Sequence, residues 1–346
     1  MTRVRPFRLA AVVAAVVSFC AGERFARAGL PDAAAATDLR ASLIVVVGAA
    51  GEKSYGDIFA DEAKSWREAA KQSEVRFELI GGDVASSEAK TDKTRMEAVL
   101  AAEAKRPSEA GPLWLILVGH GTFDGRTAAF NLNGPDVTSV ELAAWLEPIE
   151  RPTIVVNTTA AAAPFLSELS APGRVVITAT KSGQERNYAR FGRYFAARII
   201  DPAADLDKDD QTSVFEAFLA AARDTAEFYR SEGRIATEHA LLDDDGDGRG
   251  VRVEFFERDK LVKRPQGEAA ADGEAARRFH LKRSTTERRL SPEQLAQRDK
   301  LEAELAKLRG RKAELSDQAY FAELERVLVA LARLQAEETK PISAGK

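Results

Sequence analysis

Short apolar runs recur along the first part of the chain, at residues 43–47, 75–80, 113–118, 153–156 and 175–178, each β-branched and bounded by turn formers. A strand covered on both faces reads as such a continuous run, whereas a half-exposed strand alternates. Between the runs, helical periodicity predicts helices over residues 57–71, 91–105 and 138–147, with a longer amphipathic helix over 214–230. Thr138 followed by Glu141 forms the pair that closes a capping box over the first free amides of its helix. Strands alternating with helices predict an α/β fold: a doubly wound, mostly parallel sheet flanked by helices.

The pattern turns fully helical from residue 291. Ser291, Pro292 and Gln294 supply an N-cap, an N1 proline and a capping-box partner. Leu295, Leu301, Leu305 and Leu308 line one face, Gly310 interrupts, and Phe321, Leu324, Leu328, Leu331 and Leu334 line the next. This predicts a C-terminal helical hairpin of coiled-coil character over 291–336. It can pack on itself, on the main domain or on a second copy, and leucine spacing does not choose between these. The expected divisions are therefore a leader over 1–28, an alanine-rich linker over 29–38, an α/β domain over 39–250, a charged linker over 251–290 and the hairpin. The linker gathers Arg277, Arg278, Lys282, Arg283, Arg288 and Arg289, read as a solvated face, with contact to an anionic envelope or nucleic acid as the alternative. His280, within it, is expected to be exposed.

Arg3, Arg5 and Arg8 precede an apolar run over residues 9–22, and Ala26 and Ala28 offer the small residues of a signal-peptidase site. The run is shorter than the ~20 residues that span a bilayer, so export to a periplasmic or extracellular space is expected, with membrane contact only through an uncleaved leader. Cys20 is the only cysteine of the 346 residues. Cleavage would leave a mature chain with no disulfide, no thiolate metal site and no thiolate nucleophile. A net charge of -4 provides no global basic field, which argues against bulk nucleic-acid binding.

Two strand ends carry unusual residues. The run at 113–118 leads into His120, held between Gly119 and Gly121, and the run at 153–156 leads into Asn157, Thr158, Thr159 and then Ala160 to Ala163. Small residues there let backbone approach backbone or a ligand. A strand followed by His120-Gly121-Thr122, a second strand end some 37 residues further on at Asn157 and a later segment at residues 174–185 together resemble the caspase-like cysteine peptidases: caspases, legumains, gingipains and bacterial relatives. The resemblance covers about residues 40–245. It implies that His120 would be the base and that the amides of Gly121 and Thr159 would hold an oxyanion. It also places Thr159 where the family has its catalytic cysteine. The expectation is a peptidase-like domain that has lost its chemistry and binds a peptide or protein ligand. The alternatives are an active hydrolase using Thr159 with His120 as base, and a scaffold that acts, or self-associates, through the hairpin.

Acidic residues form a second pattern. Asp205, Asp207, Asp209, Gln211, Ser213 and Glu216 occupy positions 1, 3, 5, 7, 9 and 12 of a calcium loop, with Asp210 where the turn glycine belongs. Asp243, Asp245, Asp247, Gly248 and Glu254 repeat the arrangement at positions 1, 3, 5, 6 and 12. Calcium is the cofactor these spacings suggest. The plainer alternatives are an acidic helix N-terminus and a polar turn. His239, just before the second loop, is read as helix packing.

Overall fold

The chain enters its sheet with β1 (Ser42–Val47), followed by α1 (Lys53–Ser73), β2 (Arg76–Gly81), α2 (Asp92–Glu103) and β3 (Leu113–Val118). Three short strands come next, β4 (Gly121–Phe123), β5 (Ala128–Phe130) and β6 (Val137–Thr138). Then come α3 (Ser139–Leu146), β7 (Thr153–Asn157), α4 (Ala163–Leu169), β8 (Arg174–Thr178), α5 (Phe191–Arg198), α6 (Val214–Ser231) and β9 (Leu241–Asp243). A two-stranded ribbon, β10 (Phe256–Glu257) with β11 (Lys260–Leu261), precedes α7 (Pro292–Gly310) and α8 (Asp317–Glu338). This computed structural model describes residues 38–82, 91–263 and 272–338, so the expected leader over 1–28 and nearly all of the linker to 38 lie outside the described residues.

The main sheet runs β2-β1-β3-β7-β8-β9, parallel throughout except for β9 at the edge. Alternate residues of each strand serve opposite faces. Leu43, Val45, Trp114, Ile116, Ile154 and Val156 point toward a core completed by α1, α5 and α6. Ile44, Val46, Leu113, Leu115, Leu117 and Val155 point toward a second core completed by α2, α3 and α4. This is a three-layer, mostly parallel α/β sheet with helices on both sides, as the uninterrupted apolar runs require. The chain leaves β1 for β2 on one side and returns to β3 on the other, so the crevice between the carboxyl ends of β1 and β3 is the topological switch point.

Local signals hold where they are strong. The capping boxes at Thr138/Glu141 and Ser291/Gln294 both form. The antiparallel sheet β4-β5-β6 and the edge strand β9 were not legible, because strands of two or three residues carry no period. The segment expected as a charged linker over 251–290 is, where described, packed against the domain. Phe256, Ala276 and Leu281 join the first core, and the Arg277 guanidinium lies 4.1 Å from the Phe215 ring centroid. His280, expected to be exposed, has a side chain only 7% exposed. Its backbone bridges to Ser213, the N-cap of α6, which holds this stretch against the domain.

In the hairpin, Val327 and Leu334 of α8 pack with Leu301 of α7, while Phe321 and Leu328 face outward. The expected single stripe on α8 is thus split in two. Among the described residues, no helix is long and apolar enough to cross a membrane.

Candidate functional site

His120 follows β3 at the switch point, and its Nε2 lies 3.2 Å from the carbonyl of Ala50, just beyond β1. A carbonyl only accepts, so this contact puts the ring proton on Nε2 and leaves Nδ1 as the basic nitrogen. Aromatic rings enclose the imidazole on the α1 side: Tyr55 at 4.7 Å and Phe59 at 5.1 Å, both edge-on. Tyr188, from the stretch between β8 and α5, closes the cluster at 5.5 Å from Tyr55.

Thr159 lies one loop away, completely buried. Its amide donates to Asn157 Oδ1 at 3.1 Å and its hydroxyl donates to the same oxygen at 2.7 Å. The hydroxyl also sits 3.1 Å from the Ala160 carbonyl, a second acceptor. Asn157, itself fully buried at the end of β7, therefore holds both the group expected to attack and the amide expected to stabilise an oxyanion. Its Nδ2 is a buried donor with no partner.

The fold brings the two motifs together. A Cβ on Gly121 would lie 2.4 Å from the Ala160 carbonyl and 2.6 Å from Thr159 Oγ1, so only glycine lets β4 lie this close. Proximity does not extend to a hydrogen bond between Thr159 and His120. Beyond Thr159 the backbone is strained, with Ala161 at φ +52° in the left-handed region. Its amide donates to the Glu185 carbonyl at 2.7 Å. The Glu185 carboxylate in turn meets the Lys181 amide at 2.9 Å and His239 Nδ1 at 2.5 Å. His239 lies in a loop before β9, not on a helix, and ties that loop to the site.

Sequence reasoning missed Glu62. It occupies the buried stripe of α1 with Phe59, Ala63 and Trp66, and a carboxylate on such a stripe is the signal that could have found it. The Thr158 hydroxyl lies 3.2 Å from Glu62 Oε1 and 2.9 Å from the Leu117 carbonyl. Burial pushes the Glu62 carboxyl up to about 7, with Thr158 and the Arg193 charge pulling it part of the way back.

The acidic loops share one conformation. In the first, the Lys208 and Asp210 amides donate to the two oxygens of Asp205 at 2.6 and 3.2 Å. In the second, the Gly246 and Gly248 amides do the same to Asp243 at 3.1 and 3.0 Å. The Gln211 amide meets Asp209 as the Arg249 amide meets Asp247. All four turn residues have positive φ, so Asp210 adopts the backbone expected of glycine at that place.

Carboxylate oxygens of Asp205, Asp207 and Asp209 gather within 4.8 Å of one another, as do those of Asp243, Asp245 and Asp247. Asp207 lies on the exposed side of its loop. Partial desolvation and the charges of Asp209, Glu216 and Asp205 push its carboxyl up to about 6, and a cation would relieve the charge part. The remaining expected ligands hold other partners. Glu216 and Ser213 form the capping box of α6, with Glu216 Oε1 taking the Leu206 amide at 2.6 Å. Gln211 bonds Asp209 through Nε2 and accepts the Ser284 amide through Oε1. Glu254 is exposed, 3.9 Å from Arg252.

No family model matches the chain, and no curated protein matches it. Among solved structures, it is similar to the Drosophila initiator caspase Dronc, at a TM-score of 0.41 and 12% identity over 62% of this chain and 82% of that one. A likeness of that degree says nothing about chemistry, which rests on the residues above.

Glu62 sets a pH dependence. Its folded value of about 7 exceeds the ordinary 4.5, so the folded state holds a proton that the unfolded state has released across that window. Its contribution is full below 4.5 and declines as pH rises toward 7, by ~3 kcal/mol in all. Glu62→Gln keeps an oxygen facing Thr158 and should flatten this slope, which thermal melts between pH 4.5 and 8 would measure; an unchanged slope refutes the assignment.

Proposed function

We propose that the chain is an exported domain on a peptidase-type α/β scaffold that binds an extended peptide or protein without cutting it. The hold of Asn157 on Thr159 carries this reading. An alcohol becomes a nucleophile when its proton is aimed at a base that a third group orients. Here the hydroxyl faces Asn157 Oδ1 and the Ala160 carbonyl, neither of which can take a proton at neutral pH. The resemblance at His120-Gly121-Thr122 and the absence of any cysteine after Cys20 support the same reading. The two acidic loops are read as calcium sites that stabilise the domain, supported by their gathered carboxylates and common turn.

The outward face of α8 favours a second reading, a scaffold that self-associates through its hairpin. Phe321, Leu328 and Val329 are 56%, 45% and 41% exposed on one helix and line one shallow apolar groove with Leu324 and Ala332.

Peptide libraries incubated with the purified chain should show no turnover above that of His120→Ala. Cleavage that disappears in both His120→Ala and Thr159→Ala would restore the hydrolase reading. Calcium at a few millimolar should raise the melting temperature by about 2–5 °C, reversibly with chelator, for sites of ~10⁻⁴ to 10⁻³ M affinity. Absence of any shift removes calcium from the account. Phe321→Glu with Leu328→Glu should convert an oligomer to a monomer by light scattering; a wild-type monomer at all concentrations rejects the scaffold reading.

A further inference from the structure

The strap at residues 279–287 lies across the first acidic loop. The Val214 amide donates to the Phe279 carbonyl at 2.8 Å, and the Ser284 amide donates to Gln211 Oε1 at 2.9 Å. Between these two anchors His280 turns inward, its side chain more than nine-tenths buried and its Nδ1 without a hydrogen bond. Its Nε2 is 3.9 Å from Asp209 Oδ2, a member of the gathered carboxylates. Its Nδ1 is 3.9 Å from Glu287 Oε2. Glu287, 5% exposed, lies 2.9 Å from Arg298 on α7 and 3.4 Å from Arg283. One line of polar groups, buried at His280 and Glu287, thus runs from the acidic loop to the root of the hairpin.

A ring nitrogen taken out of water without a hydrogen bond is costly, and a nearby ion or water is among the things that offset it. Gathering Asp205, Asp207 and Asp209 sets like charges against one another, yet that gathered form is the one in which Gln211 holds Ser284 and Asp209 faces His280. Were the loop to spread, both contacts would leave the strap. A cation that binds only the gathered loop favours the docked strap, and by linkage the docked strap favours the cation.

We infer that a calcium-class divalent cation in the loop at residues 205–211 clamps the strap at residues 279–287 through Gln211 and His280, and so fixes the root of the C-terminal hairpin. The inference rests on the calcium reading of that loop. Its partner is internal to the chain: the cation governs whether the basic strap is held down or released.

The strap carries its own probe, since Arg277, Arg278, Lys282, Arg283, Arg288 and Arg289 are trypsin sites. The full chain would be digested in calcium, in magnesium and in chelator, with cleavage sites mapped by mass and calcium binding measured separately by calorimetry. Calcium should slow cleavage at residues 277–289 about 5-fold or more. Asp207→Asn should lose this protection, and His280→Leu should lose it while still binding calcium. Should His280→Leu fail to fold, wild type and Asp207→Asn decide the matter. Calcium binding without protection of the strap, or protection that survives in Asp207→Asn, overturns the clamp and leaves the calcium reading standing. No heat of calcium binding at all removes both.

Discussion

Burial of the parallel sheet on both faces is the constraint from which the rest follows. β1, β3 and β7 present no exposed position, so any polar group meant to meet a ligand has to stand at a strand end. The ends of β1 and β3 diverge at the switch point, and the chain places His120 there. The same burial makes an unpaired polar side chain near the sheet costly, and the partnerships that Thr158, Thr159 and Asn157 Oδ1 do form decide what the site can do.

At Thr159 the competition is between a base and a carboxamide. His120 commits its Nε2 proton to Ala50, and Asn157 captures both the amide and the hydroxyl of Thr159. Close packing of Gly121 against Thr159 and Ala160 brings the motifs together while leaving little room between them. Glu62, beneath Thr158, adds a carboxyl that stays largely protonated up to about neutral pH. The arrangement is well ordered for holding the loops and poorly ordered for activating an alcohol.

The acidic loops show how far spacing can be trusted. Positions 1, 3 and 5 gather in both loops, because each first aspartate accepts amides three and five residues ahead and so curls the chain around itself. That part is local and was legible. At the twelfth position the two loops differ: Glu216 Oε1 turns back to the Leu206 and Asp207 amides of its own loop at 2.6 and 3.3 Å, since where a glutamate turns depends on what else it can bond. Glu216 caps α6, and Glu254 lies exposed beside Arg252.

Sequence by itself determined the five parallel strands and most of the helices beside them, two capping boxes, the position of His120 at a strand end, the absence of cysteine after Cys20 and the two curled loops. Each depends on neighbours a few residues away, through periods of two or 3.6 and through turn chemistry. Tertiary structure alone decided the side-chain partnerships that join distant segments. Thr158 meets Glu62 across 96 positions, Ser284 meets Gln211 across 73, and His280 is carried from an apparently solvated basic stretch into the interior. The physical reason is that periodicity says which face of an element is buried, whereas the partner a buried polar atom finds depends on which elements the fold lays against it.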